Sequence, residues 1–312
     1  MRSRRRWRPR RPTGAADVRS GFVTLVGRPN VGKSTLVNQI VGTKVSIVSA
    51  RPQTTRTAVR GVRTTPDSQI VLLDTPGVHR PRTLLGERTN QRAVGTLAEV
   101  DAVCHVIAAN EAIGRGDEFV ARAVHEVGTP AILVVNKTDV ADRAAIADHL
   151  ASASTKLGEY AAYVPVSART GDGVDALVGE LEARLPEGPL YYPEGTVSDQ
   201  PESALAAELV REKLLVIARD ELPHSINATG ELIEPEPGEN PDVLRIRVVI
   251  RVERDSQKGI VIGRRGVVLR DAGTAARREL EALLGTRVYI ETKVRVDPHW
   301  QRRAASLDRL GL

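Results

Sequence analysis

Gly27-Arg28-Pro29-Asn30-Val31-Gly32-Lys33-Ser34-Thr35 decides the fold. These nine residues fit G-x-x-x-x-G-K-[ST], a loop whose backbone N–H groups cradle phosphate oxygens. Gly27 and Gly32 let the chain turn tightly. Lys33 puts a compact charge on the β/γ-phosphates, and the Ser34 hydroxyl is a ligand for Mg²⁺. Phe22-Val23-Thr24-Leu25-Val26 precedes the loop as an apolar run suited to a buried strand, and Ser34 to Ile40 follows with helical spacing. That order aims a helix N-terminus at an anion.

Three more strand ends repeat the pattern. Gln69-Ile70-Val71-Leu72-Leu73 delivers Asp74-Thr75-Pro76-Gly77. The Asp74 carboxylate can hold Mg²⁺ through its water shell, and the Gly77 N–H can approach a γ-phosphate and leave with it. Ala131 to Val135 delivers Asn136-Lys137-Thr138-Asp139. There the Asp139 carboxylate accepts from guanine N1–H and the 2-amino group together, a pairing adenine cannot offer. Asn136 reaches the N7 side and braces the loop, and the Lys137 stem covers the base. Val164-Pro165-Val166 leads into Ser167-Ala168, with the Ala168 N–H aimed at guanine O6. The residues counted as nucleotide-binding are therefore Gly27 to Thr35, Asp74 to Val78, Asn136 to Asp139, Ser167 and Ala168.

Between Gly42 and Arg56 the chain is polar, ending Pro52-Gln53-Thr54-Thr55-Arg56. A threonine hydroxyl here can complete the Mg²⁺ shell when the third phosphate holds the loop closed; Thr55 is favoured and Thr54 is the alternative. Ras-like enzymes orient the attacking water with a Gln after D-x-x-G, but here Val78 follows Gly77 and then His79. Val78 cannot polarise water, so the Asn30 amide oxygen becomes a candidate ligand for K⁺ beside the phosphates, supplying positive charge to the transition state. The catalytic set is Lys33, Thr55, Asp74, Gly77 and Asn30. Helical stretches at 84–99, 116–127, 141–157 and 173–185 alternate with these strands and with Ala102 to Ala108. The alternation predicts an α/β P-loop NTPase fold, a mostly parallel sheet with helices on both faces.

The length of 312 residues suggests about two domains. The net charge of +6 is unevenly spread: residues 1–20 carry +7, Leu244 to Leu312 carry +8, and 21–243 is left at −9. Polyanion binding is thus expected at the ends. Only seven of the 45 basic residues are Lys, and two of them, Lys33 and Lys137, stand inside nucleotide motifs. Cys104, the only cysteine, lies in an apolar run and reads as an inert core thiol. The division expected is a basic, disordered tail at 1–20, a GTPase domain at 21–186, a Pro/Gly-rich linker at 187–200 and a second domain at 201–312.

That second domain reads as a helix from Leu205 to Ile217, strands at 226–233 and 243–252, a helix pair about a turn, and a strand at 287–296. The turn is Lys258-Gly259-Ile260-Val261-Ile262-Gly263-Arg264-Arg265-Gly266. A G-x-x-G turn between helices clamps nucleic-acid phosphates with its N–H groups, here with two Arg at its tip. Ile260, Val261 and Ile262 are expected to form an apolar wall for unstacked bases. The reading is an α+β KH-type RNA-binding domain.

With both halves read, the chain resembles the Era family of bacterial GTPases from Gly21 to Leu312. The likeness is carried by G-R-P-N-V-G-K-S-T at 27–35, P-Q-T-T-R at 52–56, D-T-P-G-V-H at 74–79 and N-K-T-D at 136–139. E-L-P-H-S at 221–225 and S-Q-K-G-I-V-I-G-R-R-G at 256–266 are its specific part. The resemblance implies a KH domain of type II, binding of the 3′ end region of 16S rRNA, and a role in assembly of the 30S subunit. It also implies a cytoplasmic location with peripheral association at the inner membrane face. A monomer is expected. The competing classes are a GTPase that drives RNA modification, which no second catalytic constellation supports, and a general RNA-binding module, which intact Lys33, Asp74 and Asp139 oppose.

Overall fold

The computed structural model describes residues 18–49, 51, 54–79, 81, 83–217, 225–238 and 240–312. Its central strand is β1 (Val18–Val26), which leads straight into the phosphate loop. β1 is paired in parallel on both sides, with β3 (Ser68–Asp74) and β4 (Ala102–Ala108). Its second half, Phe22–Val26, is the mostly apolar run of a strand covered on both faces, which is why that part was legible. β2 (Val59–Thr64) had no such signal: it is an edge strand, V-R-G-V-R-T, antiparallel to β3. β5 (Ala131–Asn136) and β6 (Ala162–Pro165) complete the order β2-β3-β1-β4-β5-β6.

Helices α1 (Lys33–Val41), α2 (Leu84–Gly95), α3 (Arg115–Val127), α4 (Arg143–Leu157) and α5 (Val174–Glu182) fall close to the expected stretches. Alternation along the strands sorts their side chains between two cores. Leu25, Cys104, Val106 and Val134 pack with Leu36 and Ile40 of α1 and Leu177 and Leu181 of α5. Val103 packs with Val120 and Val124 of α3, while Ile107, Leu133 and Val135 meet Ala153 and Leu157 of α4. After β1 the chain runs through α1 to β2 and β3 on one side of it, then crosses through α2 to β4 on the other, so the loop after β1 opens at the point where the strand order reverses. Ligands bind in that crevice in such sheets.

Two expected boundaries need correction. Val18–Ser20, assigned to the tail, belong to β1: Arg19 and Ser20 are in register with Ser68 and Gln69, and the Ser20 hydroxyl donates to Pro189 O at 2.8 Å. Residues 1–17 lie outside the described residues. The stretch 187–200 is strapped down rather than loose. β7 (Glu187–Gly188) pairs antiparallel with β1, Tyr191 and Tyr192 donate their N–H groups to Gln69 Oε1 at 2.7 and 3.0 Å, and Ser198 bridges Gly61. The Pro and Gly residues there shape turns, and backbone hydrogen bonds supply the order.

The chain divides into two compact units at Asp199/Gln200, with Ile47–Thr54 and Pro81–Glu87 falling in the second unit, so the first is not continuous over 21–186. Ile47 is buried in the second core, and the Val48 N–H donates to Glu212 Oε1 at 2.8 Å. That unit comprises α6 (Glu202–Ile217), β8 (Asn227–Leu232), β9 (Leu244–Val252), α7 (Asp255–Ile262), α8 (Val267–Leu284), β10 (Val288–Val296) and α9 (Ala304–Arg309). Its sheet runs β10-β9-β8, parallel between β9 and β10 and antiparallel between β8 and β9. Ile246, Val248, Ile250 and Val252 face α6 and α8 in one core, and the alternate residues of β9 face away. Gly230 lets α6 cross β8 closely: a Cβ there would sit 1.8 Å from Ser203 O. Glu221 to His224 of the E-L-P-H-S segment lie outside the described residues.

Candidate nucleotide site and RNA-binding turn

Three oxygens converge at the head of α1. The Ser34 hydroxyl donates to Asp74 Oδ2 at 2.6 Å, the Thr55 hydroxyl meets Asp74 Oδ2 at 3.2 Å, and the two hydroxyls are 3.0 Å apart. Ligands about 2.1 Å from an octahedral Mg²⁺ sit about 3 Å from one another. The donor set therefore fits that ion. Asp74 is fully buried and its Oδ1 has no hydrogen-bond partner, a costly arrangement unless a cation or water answers it. Burial pushes its carboxyl above the usual range, opposed by the Ser34 hydrogen bond and the Lys33 charge. Thr54, the alternative to Thr55, does not join this cluster: its hydroxyl donates to Arg51 O at 2.8 Å, and its carbonyl accepts from the buried Arg211.

Lys33 is also buried, its ammonium held by Gly27 O at 3.1 Å and Arg28 O at 2.9 Å. Burial lowers it to about 8, with Asp74 pulling the other way. Gly32 and Gly77 are required by close approach. Gly32 has φ +96° and a Cβ there would lie 2.2 Å from Asn136 Nδ2; one on Gly77 would lie 2.8 Å from Pro29 Cα. Asn30 adopts φ +64°, the left-handed conformation Asn tolerates, and is exposed. Val78 is buried in an apolar core, and the His79 ring holds Gly77 O at 2.9 Å.

At the base-reading end, Asn136 ties two loops together. Its Nδ2 donates to Val31 O at 2.8 Å, and its Oδ1 accepts from the Ala168 N–H at 2.9 Å. The Ala168 N–H expected to face guanine O6 is thus engaged by Asn136, because the buried amide needs both partners. Asp139 accepts from the Ser167 hydroxyl at 2.7 Å and from Arg169 at 2.7 Å. The Ser167 bond, then Arg169, holds its carboxyl below the usual range. Thr75 is buried, and its hydroxyl donates to Leu25 O at 2.6 Å, which fixes the strand end.

In the second unit, Gly263 and Gly266 take φ +73° and +76° and Arg265 takes φ +54°, so the chain turns sharply between α7 and α8. Arg264 and Arg265 are exposed. Within the turn the Gly266 N–H donates to Gly263 O at 3.1 Å and the Val267 N–H to Arg264 O, so α8 begins directly at the glycine turn, the setting in which a helix N-terminus suits a phosphate. Val261 departs from expectation: at 2% exposure it is part of the core, because it sits on the inner side of α7. Ile260 at 53% and Val267 at 40% supply the exposed apolar surface instead.

Comparisons with known proteins agree with both halves. Residues 22–137 match the family model of a 50S ribosome-binding GTPase, and 221–301 match that of a KH domain. GTPase Era of Mycobacterium tuberculosis is 49% identical over 95% of this chain and 99% of its own. The chain belongs to the Era GTPase family. An Era of Mycobacterium avium is 48% identical over 95% of this chain. A crystal structure of Era with MgGDPNP and nucleotides 1506–1542 of 16S ribosomal RNA superposes with TM-score 0.90 at 39% identity, covering 94% of this chain and 99% of that one. A Tyr-to-Ala variant of Aquifex aeolicus Era bound to GDP and AlF4⁻ gives TM-score 0.89 at 38% identity and the same coverage.

As an Era-family GTPase, the chain also holds site residues that the motifs did not reveal. Glu111 accepts from Lys137 at 3.1 Å and from Arg28 at 3.3 Å, and Arg28 pairs with buried Asp117 at 2.8 Å. This network links the phosphate loop to the base loop. Asp117 was hidden because it also serves as a helix start, accepting the Gly114 N–H at 2.9 Å. Arg169, next to Ser167-Ala168, was the one with a signal: a cation beside a carboxylate loop. Cys104 is buried and its thiol is pushed up to about 12, inert as expected.

Proposed function

We propose that this GTPase is a nucleotide-controlled switch that binds the 3′ end region of 16S rRNA and acts in assembly of the small ribosomal subunit. The observation that carries the nucleotide half is the cluster of Ser34 and Thr55 on buried Asp74, whose second carboxylate oxygen is orphaned. The RNA half rests on the G-x-x-G turn and on the Era solved with a 16S rRNA segment and MgGDPNP. Ser34, Thr55 and Asp74 would hold Mg²⁺, which when bound neutralises charge on the β- and γ-phosphates. Lys33, protonated, binds the same phosphates, and the loop N–H groups from Gly27 to Thr35 fix them in place. Water attacks the γ-phosphorus, the bond to the β–γ bridging oxygen breaks, and GDP and phosphate result. Gly77 moves when the γ-phosphate leaves, and the loop bearing Thr55 is released with it.

The Asn30 side chain is proposed to ligate K⁺ beside the phosphates, in place of the missing Gln. Equal hydrolysis rates in K⁺ and Na⁺ at equal ionic strength would remove that role. A cytoplasmic location with peripheral contact at the membrane rests on the family resemblance; among the described residues no helix is long and apolar enough to cross a bilayer. The deciding experiment is co-sedimentation with purified small subunits in a non-hydrolysable GTP analogue, in GDP and without nucleotide. Nucleotide-dependent association with the small subunit is expected. Equal association in all three states would sink the switch.

A further inference from the structure

The sheet of the second unit has a second basic surface, on the face turned away from α6 and α8. There a groove of about 350 Å³ is lined by Arg247, Arg251, Lys293, Arg295 and Arg309, with Val249 as its apolar floor. Its charges are not all alike in their surroundings. Arg247 pairs with Glu291 at 2.8 Å and Glu231 at 3.2 Å, and Lys293 pairs with Glu291 at 3.0 Å. That end is locally neutralised. At the other end, Arg251 donates to the Thr229 hydroxyl at 2.8 Å, and the nearby Asp297 is taken by Arg303.

Arg251 and Arg295 are direct cross-strand partners in the parallel β9–β10 pair. Like charges directly opposite one another destabilise a sheet. Arg309, in the last turn of α9, lines the same groove. Burial and then the Arg295 charge push the Arg251 guanidinium below its usual value, with Asp297 opposing and Arg309 adding to the shift. A helix C-terminus accounts for a cation at Arg309, but nothing in the fold calls for two opposed arginines. A local rule broken without a structural gain marks a functional surface.

We propose that Arg251, Arg295 and Arg309 form a second phosphate-binding groove, which holds sugar–phosphate backbone of RNA beyond the nucleotides gripped by the turn at Gly263–Gly266. The proposal rests on the RNA-binding reading of this unit. Guanidinium forks suit phosphodiester oxygens, and the phosphates relieve the repulsion between the three arginines. At the far end of β10, Tyr289 is 48% exposed with the Arg245 guanidinium 5.1 Å from its ring centroid. A basic groove with an aromatic platform on the same face is the combination that tracks a nucleic-acid strand. It favours RNA over an anionic lipid surface, which would want several apolar side chains to insert.

The test uses the full chain and its Arg251→Gln/Arg295→Gln/Arg309→Gln variant. Affinity is measured across a salt series for a long RNA of about 30 nucleotides and for a short one of about 6 that only the turn can hold. For the long RNA the salt slope should fall in magnitude by about 2, with about tenfold weaker binding, while the short RNA binds as before. The variant should melt no lower than the parent, since it loses like-charge repulsion. An unchanged slope for the long RNA overturns the groove. Equal losses on both RNAs overturn it too, because they mean damage to the turn. So does loss of binding to vesicles containing phosphatidylglycerol with RNA binding intact. The single Arg309→Glu exchange, on an exposed helix turn, decides the matter by the same slope if the triple variant does not fold. Failure of the parent chain to bind either RNA would instead strike at the RNA-binding reading itself.

Discussion

Lys33 and Asp74 are buried, the ammonium held by backbone carbonyls and the carboxylate by the Ser34 hydroxyl, whereas Arg264 and Arg265 of the second turn stand in solvent. Both sites have a glycine turn at a helix N-terminus, a geometry that suits phosphate. The first is preorganised in a low-dielectric crevice, so each charge is worth more and each shift in proton affinity is larger. The second leaves its arginines hydrated and gains affinity by releasing counterions, so it responds to salt. Discrimination belongs to the first kind of site, and adaptable grip to the second.

The two sites should differ most at the guanine base. Asp139→Asn replaces an acceptor with an amide whose NH₂ suits xanthine, which has a carbonyl where guanine has its 2-amino group. The preference for GTP over XTP should fall by about 10⁴-fold, as expected when a buried hydrogen-bonding site is mismatched. Competitive displacement of a fluorescent guanine nucleotide measures it. Retained GTP preference would mean that the base is read elsewhere.

Next in size is the response to pH. The Lys33 ammonium of the free protein sits at about 8 because it is buried. A bound triphosphate raises it, so binding takes up a proton once Lys33 begins to deprotonate. Affinity should be flat below pH 8 and weaken above it by up to about tenfold per pH unit. Calorimetry in two buffers of different ionisation enthalpy would show the uptake, and Lys33→Ala should abolish it. The RNA turn, built on arginine, should show no such step.

These contrasts also explain what the sequence made legible. The phosphate loop, D-x-x-G and N-K-T-D are local: a glycine, a charge and an adjacent apolar strand suffice to place them. G-x-x-G was legible for the same reason. The Arg28–Asp117–Glu111–Lys137 network joins four elements by tertiary contact, and no spacing announces it. Val261 was misread because a three-residue apolar run does not say which residue faces inward. The edge strand β2 and the short β7 carried too little apolar pattern to stand out.

A smaller effect separates the two glycines of the turn. A Cβ on Gly263 would lie 2.4 Å from Val268 Cγ2, whereas one on Gly266 meets nothing within 4 Å. Gly266→Asp therefore places a negative charge at the phosphate site without a clash, in a left-handed conformation Asp tolerates. RNA affinity should fall about tenfold, with unchanged GTP affinity and a small change in melting temperature, since one mismatched charge at an exposed site costs on the order of 1–2 kcal/mol. Gly263→Asp should lower the melting temperature as well. If both variants lose GTP binding, the turn is not an independent site.

The smallest expected effect tests whether the buried site is fully ready for its ligand. Arg169 is 70% exposed along its side chain and holds Asp139 Oδ2 at 2.7 Å, on the carboxylate proposed to read guanine. An ion pair this exposed is worth about 1 kcal/mol at most. Guanine then either shares Asp139 with Arg169 or displaces it. Displacement predicts that Arg169→Ala tightens GTP binding by up to about fivefold, mostly through faster association, and that the gain shrinks in high salt. Sharing predicts weaker binding, because Arg169 would then steady the bound carboxylate. Stopped-flow association rates in low and high salt distinguish the two. The Ser167 hydroxyl, buried at 2.7 Å from Oδ1, holds Asp139 in place in either case. We expect displacement, since a guanidinium lying over Oδ2 occupies the direction from which the base must arrive.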